Sequence, residues 1–405
     1  MRDISRASLD ARRIGGRAFM KIAMLDPSLF TWPYDISLCL AQIRHGHDVT
    51  LLARKPFSPP DAALAQHLDP HFYKLVEGDW AEKLPHKVFL TLKGLSHIGS
   101  MIRLVARLER EKPDVIHFQW TPLPVVDRRF LNRLRRIAPI VLTVHDSAPF
   151  NENPSSRVQQ LGSTSIMREF DRVIVHTAKA KARILEYGVE PSRVAQIAHG
   201  MLEEVAPPSG KPQPPRAEGD VVLLLFGRLK PYKGIDVMIR AVAALPPALR
   251  GRVRVRIVGK PHMPVEPLQA LAAELGIADR VDFEFRFIDD AEVGDLLRAA
   301  DIQMFPYFEI DASGVLMAVL GVGRPIIASD IGLFREMLDD GVHGRLVPPG
   351  DVAALSAAIA ELVADDAGRA EAGRQVAALR DSIPSWEDIA AQTTALYEDA
   401  IAQRR

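Results

Sequence analysis

The sequence predicts an α/β protein with two doubly wound domains, each built around a parallel sheet. Short runs rich in Val, Ile and Leu alternate with helical patterns, and most of these runs lack the alternation of a half-exposed strand. Continuous apolar strands separated by helices are typical of a parallel sheet that is covered on both faces. A proline-rich stretch interrupts the pattern about halfway along the 405 residues. This length suits two or three domains of about 100–200 residues each.

The first domain is predicted over residues 20–205. Residues 1–19 have many arginines and no apolar periodicity, so we expect a disordered tail there, with a basic targeting segment as the alternative. The strands expected in this domain lie at residues 20–25, 49–53, 114–118, 139–145, 172–176 and 193–198.

A linker is predicted at residues 206–219, where the sequence APPSGKPQPPRAEG contains five prolines and two glycines. Proline lacks an amide proton and disfavours helix in the preceding residue, so this stretch should be stiff. The second domain follows at residues 220–384. Its expected strands lie at residues 221–226, 253–258, 281–285, 302–305, 325–328 and 345–347. The expected helices lie at residues 234–245, 265–275, 351–364, 367–380 and 386–403.

The composition excludes several classes of protein. Cys39 is the single cysteine, which leaves no internal disulfide framework and no cysteine-based zinc site. No uninterrupted apolar run approaches the roughly 20 residues of a membrane-spanning helix, and the N-terminus lacks a secretory apolar region. The pI of 7.2 argues against a general nucleic-acid binder. We therefore expect a cytoplasmic protein with no nucleic-acid partner.

The net charge of zero hides an asymmetry between the two halves. Residues 1–200 contain 29 Lys and Arg against 20 Asp and Glu, whereas residues 201–405 contain 22 against 31. This difference favours two separate domains and a first half that faces an anionic partner. Basic residues concentrate at 83–110 and 128–136, and in the first stretch they alternate with Leu, Ile, Met and Val. That pattern is typical of an interfacial amphipathic helix on an anionic membrane, with an ordinary surface helix as the alternative.

The strongest candidate site is residues 227–234 (GRLKPYKG), directly after a predicted strand. Ligands of doubly wound folds bind where loops leave the carboxyl ends of the strands. Gly227 lets the chain turn, and Arg228 and Lys233 place two cations beside the start of the next helix. Two cations and the positive end of a helix dipole suit a diphosphate, whereas the alternative is a solvated basic turn.

A second candidate site is residues 305–315 (FPYFEIDASGV), which follow another predicted strand. Glu309 and Asp311 could hydrogen-bond sugar hydroxyls. A capped helix N-terminus, which also favours Asp and Ser, is the alternative interpretation. Small residues would let backbone amides approach phosphate oxygens at the helix start, namely Ser313, Gly314 and Val315.

Together these motifs resemble the retaining glycosyltransferases of family four, which have the GT-B fold. The run 227–234 is similar to the donor-diphosphate motif of that family, and residues 323–332 (GRPIIASDIG) and 340–351 (DGVHGRLVPPGD) fit the same pattern. The resemblance covers most of residues 220–400 and is weaker over residues 20–200. It implies two doubly wound Rossmann-like domains with a cleft between them.

The resemblance also implies an activity, namely transfer of a sugar from a UDP- or GDP-sugar with retention of anomeric configuration. The donor is expected in the second domain and a polysaccharide or lipid-linked glycan acceptor in the first, as in exopolysaccharide biosynthesis. The last helix, in residues 385–405, is expected to cross back to the first domain. Neither a metal nor a cofactor besides the nucleotide sugar is implied, because Arg228 and Lys233 would neutralise the leaving diphosphate. Phe287 and Ile288 match the position whose backbone holds the nucleotide base.

Two departures from the family pattern concern the donor. The second glutamate of the usual pair, which contacts the donor ribose, falls here at Met317 or Ala318. Residues 313–316 read Ser-Gly-Val-Leu, as in a subset of the family, so we interpret the change as a subfamily feature. The glycine-rich loop after the first strand is replaced by residues 26–30 (DPSLF).

Histidines at predicted strand ends are the remaining candidates. His145 resembles the active-site histidine of the family, and with Glu309 it would orient the sugar and stabilise an oxocarbenium-like transition state. A histidine at a strand end can hydrogen-bond a sugar hydroxyl or a backbone carbonyl. We interpret His117 mainly as a core residue. The candidates for the acceptor side are Asp26, His117, Asp146 and His199.

Two alternatives to a transferase remain open from the sequence. The first is another two-domain nucleotide-sugar enzyme, such as an epimerase or phosphorylase of similar fold. A non-catalytic scaffold, suggested by the absent second glutamate, would bind the donor poorly and transfer nothing.

Overall fold

The computed structural model describes residues 13–14, 17–56, 62–147, 161–201, 216–310 and 313–404. The chain divides into two compact units, of which unit 1 comprises Met1–Gly200 with Pro384–Arg405 and unit 2 comprises Met201–Ile383. Most of the predicted linker at 206–219 lies outside the described residues, and so does Asp311. Each unit contains one large parallel sheet with alternating helices, which confirms the predicted class of two doubly wound, Rossmann-like domains.

Unit 1 alternates parallel strands with helices. Its strands are β1 (Lys21–Asp26), β2 (Asp48–Ala53), β3 (Leu68–Pro70), β4 (Val115–Phe118), β5 (Ile140–Val144), β6 (Arg172–Val175) and β7 (Val194–Gln196). Among the described residues before the linker, its helices are α1 (Trp32–Arg44), α2 (Ala62–Ala65), α3 (Asp79–Glu82), α4 (His86–Glu111), α5 (Pro124–Ile137) and α6 (Ala178–Glu186).

Unit 2 repeats this alternation, and the chain then returns to unit 1. The strands of unit 2 are β8 (Val221–Phe226), β9 (Val253–Val258), β10 (Val281–Glu284), β11 (Ile302–Phe305), β12 (Ile326–Ser329) and β13 (Gly344–Val347). Its helices are α7 (Ile235–Ala243), α8 (Pro247–Arg250), α9 (Glu266–Glu274), α10 (Asp290–Ala299), α11 (Gly314–Leu320), α12 (Gly332–Met337), α13 (Val352–Ala364) and α14 (Asp366–Leu379). The last helix, α15 (Trp386–Ala402), belongs to unit 1.

The order of the strands fixes where a ligand can bind. Unit 1 has the order β3-β2-β1-β4-β5-β6-β7, and unit 2 has the order β10-β9-β8-β11-β12-β13. The order reverses between β1 and β4 in unit 1 and between β8 and β11 in unit 2. At such a switch point, loops leaving the carboxyl ends of the two strands diverge and open a crevice, where ligands of this fold bind.

Burial on both faces explains the unbroken apolar strand sequences. In β8, Val221, Leu223 and Leu225 pack into one cluster, which also holds α13 residues such as Ile359. The intervening Val222 and Leu224 pack into a second cluster on the opposite face, together with residues of α11. Both faces of this sheet are therefore core, as expected for a parallel sheet between helical layers.

The predicted strands match the observed ones within two residues at each end. The prediction missed β3, which is three residues long, lies at the edge of the sheet and ends at Pro70. Proline cannot donate a ladder hydrogen bond, so it gives no strand signal except at an edge. In the region expected to be a disordered tail, Arg13–Ile14 pairs antiparallel with Arg17–Ala18.

Helix α15 is integrated into unit 1 through polar contacts. It begins with a capping box in which the Ser385 hydroxyl and the Asp388 side chain satisfy each other's backbone amides. The Gln42 amide of α1 donates to the carbonyl of Ala390 at 3.1 Å. In addition, the Tyr397 hydroxyl lies 2.6 Å from Nδ1 of His117 in β4. These bonds join the C-terminal helix to the first helix and the central sheet of unit 1.

Candidate functional site

The switch point of unit 2 brings the two candidate motifs together. Residues 227–234 follow β8 and residues 306–310 follow β11, the two strands between which the order reverses. The Phe308 amide donates to the carbonyl of Tyr232 at 2.7 Å, which joins the two loops. Gly234 has φ +62°, and a Cβ there would lie 2.0 Å from the Pro306 oxygen. Only glycine permits this approach, since that distance is far below van der Waals contact.

Lys233 is held inside this crevice with its ammonium group fixed by protein acceptors. The residue is 3% exposed, and Nζ donates to the Phe226 carbonyl at 3.1 Å and to the hydroxyl of Tyr307. Burial, and then the charge of Lys230, lowers the pKa of Lys233 to about 7. A bound anion would raise the pKa of Lys233 again, because an adjacent negative charge favours the protonated amine.

Three neighbouring loops pack closely around Gly227, which lies beside the lysine. Gly227 has φ +110°, and a Cβ there would lie 3.3 Å from Nζ of Lys233 and 3.2 Å from Cγ2 of Val315. Gly259, which follows β9, packs so closely that its Cβ would lie 1.9 Å from the Gly227 oxygen. Gly227 is partly exposed, so its backbone is accessible beside the Lys233 cation, which is the arrangement by which this fold receives phosphate groups.

The start of α11 combines the two interpretations given for residues 313–315. Ser313 is the N-cap, and its hydroxyl accepts the Leu316 amide at 3.1 Å. The side chain therefore caps the helix, as the alternative interpretation proposed. Gly314 is exposed and Val315 lies against Gly227.

The remaining unit 2 candidates differ in accessibility. Arg228 is exposed and lies five residues before Lys233 in the same loop, while Glu309 is partly buried just beyond Tyr307. Phe287 is 66% exposed, whereas Ile288 is 6% exposed and packs in the core cluster beside α10. The Ile288 side chain is thus structural, and only its backbone can serve a ligand.

Unit 1 gathers three histidines around one buried tyrosine at the carboxyl edge of its sheet. The ring of Tyr34 lies 4.7 Å from His145, 5.2 Å from His176 and 5.1 Å from His199, measured between centroids. Nδ1 of His145 is 3.3 Å from Nε2 of His176, and Nε2 of His145 is 3.0 Å from Gln119. His176 in turn contacts the Ile197 carbonyl at 3.0 Å. These contacts orient the His145 ring.

Burial keeps these imidazoles neutral. It lowers the pKa of His145 well below its usual range, with further lowering from the neighbouring His176. It also lowers the pKa of His176 to about 3 and that of His199 to about 4. Near neutral pH the cluster can donate and accept hydrogen bonds but carries no positive charge.

Two of the four acceptor-side candidates are internal to unit 1. His117 is fully buried, with Nδ1 2.6 Å from the Tyr397 hydroxyl and Nε2 2.7 Å from the Thr143 hydroxyl. Both ring nitrogens are therefore used in the core, which agrees with the interpretation of His117 as mainly a core residue and leaves neither nitrogen for an acceptor.

Asp26 is also fully buried, and it organises the loop after β1 by accepting the amides of Ser28 and Thr31 at 3.1 and 3.0 Å. Burial raises its pKa, and burial together with the Asp26 charge raises the pKa of Asp35 well above its usual range. Asp146 and His199 remain partly exposed near the strand ends.

Several site residues were missed by sequence reasoning. Tyr307 holds the ammonium of Lys233, Gly259 packs against Gly227, and Tyr34 and His176 position His145. Tyr307 lies inside the quoted motif, but nothing in its spacing indicates a lysine partner. Within the described residues, no group of three or more His, Cys, Asp or Glu side chains could hold a metal ion.

Comparison with known families matches both parts of the chain. The family described as "Glycosyl transferases group 1" matches residues 220–365, and "Glycosyltransferase Family 4" matches residues 35–201. The D-inositol 3-phosphate glycosyltransferase of Geodermatophilus obscurus is 30% identical over 357 residues, or 81% of this chain and 76% of that protein. The enzyme of the same name from Thermobispora bispora is 31% identical over 325 residues, 76% of this chain and 75% of its own.

Solved structures with the same fold are more distant in sequence. HepE of Anabaena, crystallised with UDP and glucose, has a TM-score of 0.69 at 20% identity and covers 94% of this chain and 100% of its own. Sucrose-phosphate synthase of Thermosynechococcus elongatus has a TM-score of 0.66 at 19% identity, covering 94% of this chain and 99% of its own.

Proposed function

Because the chain belongs to the glycosyltransferases of group 1 and family 4, we propose that it transfers a sugar from a UDP- or GDP-sugar with retention of anomeric configuration. It is a glycosyltransferase with the GT-B fold. The observation that carries the proposal is the buried Lys233 ammonium at the switch point of unit 2. A UDP donor is favoured because HepE was crystallised with UDP.

In the proposed reaction, the bond between the anomeric carbon and a diphosphate oxygen breaks, and negative charge collects on the leaving diphosphate. Lys233 lies beside the partly exposed backbone of Gly227, and the exposed Arg228 is in the same loop. Their charges would stabilise the leaving group, and preorganised cations of this kind supply much of the barrier reduction in such reactions. Neither a metal nor a further cofactor is part of this proposal.

Contacts to the sugar are proposed for Glu309 within unit 2 and, separately, for His145 within unit 1. Neutral His145 would act as a hydrogen-bonding group, because burial lowers its pKa well below neutrality. Glu309 supplies the negative charge that an oxocarbenium-like transition state needs. Phe287 and the backbone of Ile288 are the proposed contacts of the nucleotide base. Asp311 would hydrogen-bond a hydroxyl of the sugar.

The acceptor is proposed to be a phosphorylated glycan or polyol bound at unit 1. Arg54 directly follows β2, and Nζ of Lys93 lies 5.1 Å from the centroid of the Tyr73 ring, just beyond β3. Burial, and then the charge of Arg54, lowers the pKa of Lys93. Two neighbouring cations suit a phosphate. Lipid-linked glycans carry phosphate, as does the inositol 3-phosphate for which the relatives are named.

The first experiment measures donor binding and turnover in the purified enzyme. Thermal shift with UDP, GDP, ADP and NAD identifies the base, since a ligand at about a hundred times its Kd adds roughly 2.7 kcal/mol of stability. Lys233→Ala should lower turnover at least about a hundredfold, as removal of one strong oxyanion donor does. Arg374→Ala, which removes an exposed cation of unit 2, is the matched control and should leave turnover unchanged. Near-normal turnover of Lys233→Ala would refute the assignment.

A product assay separates the alternatives. Transfer releases a nucleoside diphosphate and forms a new glycoside, whose anomeric proton coupling in NMR reports retention or inversion. Inositol phosphate and lipid-linked glycans are offered as acceptors in parallel. If the sugar changed but no nucleoside diphosphate were released, the enzyme would be an epimerase. If neither sugar transfer nor slow donor hydrolysis occurred, the protein would be a scaffold.

A further inference from the structure

Helix α4 has 26 residues and two faces of different character. Its inner face belongs to the core of unit 1, where the fully buried Met101, Leu104 and Leu108 pack in one cluster with strand residues. The same face holds His97, which is fully buried and contacts Asp127 of α5 at 2.6 Å. One side of the helix is thus fixed to the sheet and to α5.

The outer face of α4 exposes large apolar side chains in a line. Val88, Leu95 and Ile102 recur every seven residues and are 44%, 56% and 57% exposed. A spacing of seven keeps side chains on one stripe of an α-helix, so these three residues lie along the same exposed face. Ile98, 36% exposed, lies beside them. A continuous apolar stripe of this kind on a surface helix marks an interaction site.

Along most of α4, the charges beside this stripe have one sign. No Asp or Glu occurs from His86 to Leu108, whereas Lys87 and Arg103 are exposed. Arg107 differs, because it forms ion pairs with Asp69 and Glu111. An apolar stripe flanked by uncompensated cations matches the boundary between the headgroups and acyl chains of an anionic bilayer.

A second copy of this chain fits the face less well. In a twofold dimer the same patch meets itself, so the cations of one copy would approach those of the other. Like charges brought together at an interface are costly. The charge pattern therefore favours an anionic lipid surface over self-association.

The packing of α4 is incompatible with its crossing a bilayer. By length and composition α4 is apolar enough to span a bilayer, although its apolar residues do not form the uninterrupted run of such a helix. A third of that stretch is buried within unit 1. Crossing would pull Met101, Leu104 and Leu108 out of the core, whereas docking in the interface plane leaves the core intact and buries only the exposed stripe.

We propose that unit 1 docks on an anionic membrane through the outer face of α4, with Val88, Leu95 and Ile102 inserted among the headgroups and Lys87 and Arg103 at the lipid phosphates. The inference goes beyond the proposed transfer reaction and does not depend on it. It would place the whole enzyme at a surface where phosphorylated lipid acceptors reside.

The test is co-sedimentation of the full chain with vesicles of phosphatidylcholine alone and with about a third phosphatidylglycerol. Binding is expected only to the anionic vesicles, and raised salt should release it. Lys87→Gln with Arg103→Gln should weaken partitioning about thirtyfold, since each basic residue near the surface contributes about fivefold. Val88→Gln with Leu95→Gln and Ile102→Gln should weaken it about a hundredfold through lost apolar burial.

The controls separate docking from folding and from chemistry. Leu161→Gln and Val342→Gln replace exposed apolar residues elsewhere, 64% and 42% exposed, and should bind vesicles as the wild type does. All variants should keep wild-type melting temperatures and bind nucleoside diphosphate normally in solution. The proposal would be overturned if the wild type did not bind anionic vesicles, or if vesicle binding survived both sets of α4 substitutions. Sedimentation velocity tests self-association. If the wild type formed a dimer that the α4 substitutions abolish, and did not bind vesicles, the proposal would be overturned in favour of self-association.

Discussion

Raising the pH from 7 to 9 should weaken binding of a nucleoside diphosphate about fiftyfold. Lys233 must be protonated to neutralise a diphosphate, and burial lowers its pKa to about 7. About half of the free molecules carry the charge at pH 7 and about one in a hundred at pH 9. The bound anion raises this pKa, so binding takes up about half a proton at pH 7 and about one proton at pH 9, and affinity falls by about 2.3 kcal/mol over this range. Phosphates, with a second pKa of about 6, stay ionised throughout.

Isothermal titration calorimetry with UDP and GDP at pH 7, 8 and 9 measures this dependence. Repeating each titration in two buffers of different ionisation enthalpy counts the protons taken up. Lys233→Arg should flatten the profile, because a guanidinium remains charged at these pH values. Lys230→Gln should move the break to higher pH, since the charge of Lys230 contributes to the lowered pKa of Lys233.

The outcome that contradicts this reasoning is specific. A Kd that changes less than about threefold from pH 7 to 9, in an enzyme whose Lys233→Ala variant has lost binding, would mean that Lys233 is already charged in the free protein. The lysine would then still bind the diphosphate, but without proton uptake.

Two further predictions concern stability. Gly234→Ala should destabilise unit 2 by at least about 3 kcal/mol, because the new Cβ would overlap the Pro306 oxygen at 2.0 Å. Gly276→Ala, at a similar φ but with nothing within 4 Å, should cost about 1 kcal/mol. Urea unfolding followed by circular dichroism compares the two variants, and equal losses of stability would refute the steric argument. Unit 1 should lose stability as the pH falls below about 6.5, because burial lowers the pKa of His117 to about 3 and the unfolded chain then binds more protons than the folded one. His117→Gln should remove about 1.4 kcal/mol per pH unit from the slope of the unfolding free energy against pH between pH 6 and 4. Tryptophan fluorescence reports the unfolding of unit 1 alone, since all four tryptophans belong to it. An unchanged slope would mean that His117 is not neutral in the folded state.

Much of the fold was accessible from the sequence because parallel sheets leave a strong local signal. Strands buried on both faces must be apolar throughout, as Val221–Phe226 is, and such runs stand out between amphipathic helices. β3 escaped because its three residues at a sheet edge need no such run. The loop 227–234 was also found directly, since its cations and glycines follow a strand end.

The functional roles within the motifs were less accessible. Sequence reasoning assigned Lys233 to a diphosphate but not the Tyr307 hydroxyl that holds it, because the two residues are 74 positions apart and meet only across the switch point. It placed His117 among acceptor-side candidates, yet the partners of that ring are Thr143 and a tyrosine from α15. Whether a histidine at a strand faces core or solvent depends on neighbouring elements rather than on its own segment.

The sequence by itself therefore determined the longer buried strands, several of the helices, the two-domain α/β class, and the cationic loop with its glycines. Those properties follow from local periodicity and backbone requirements, which each segment carries alone. Tertiary structure decided the strand order, the burial that lowers the pKa of Lys233, and the neutral histidine cluster around Tyr34. Desolvation and hydrogen-bond partnership arise only when distant segments pack together, so no single stretch of sequence records them.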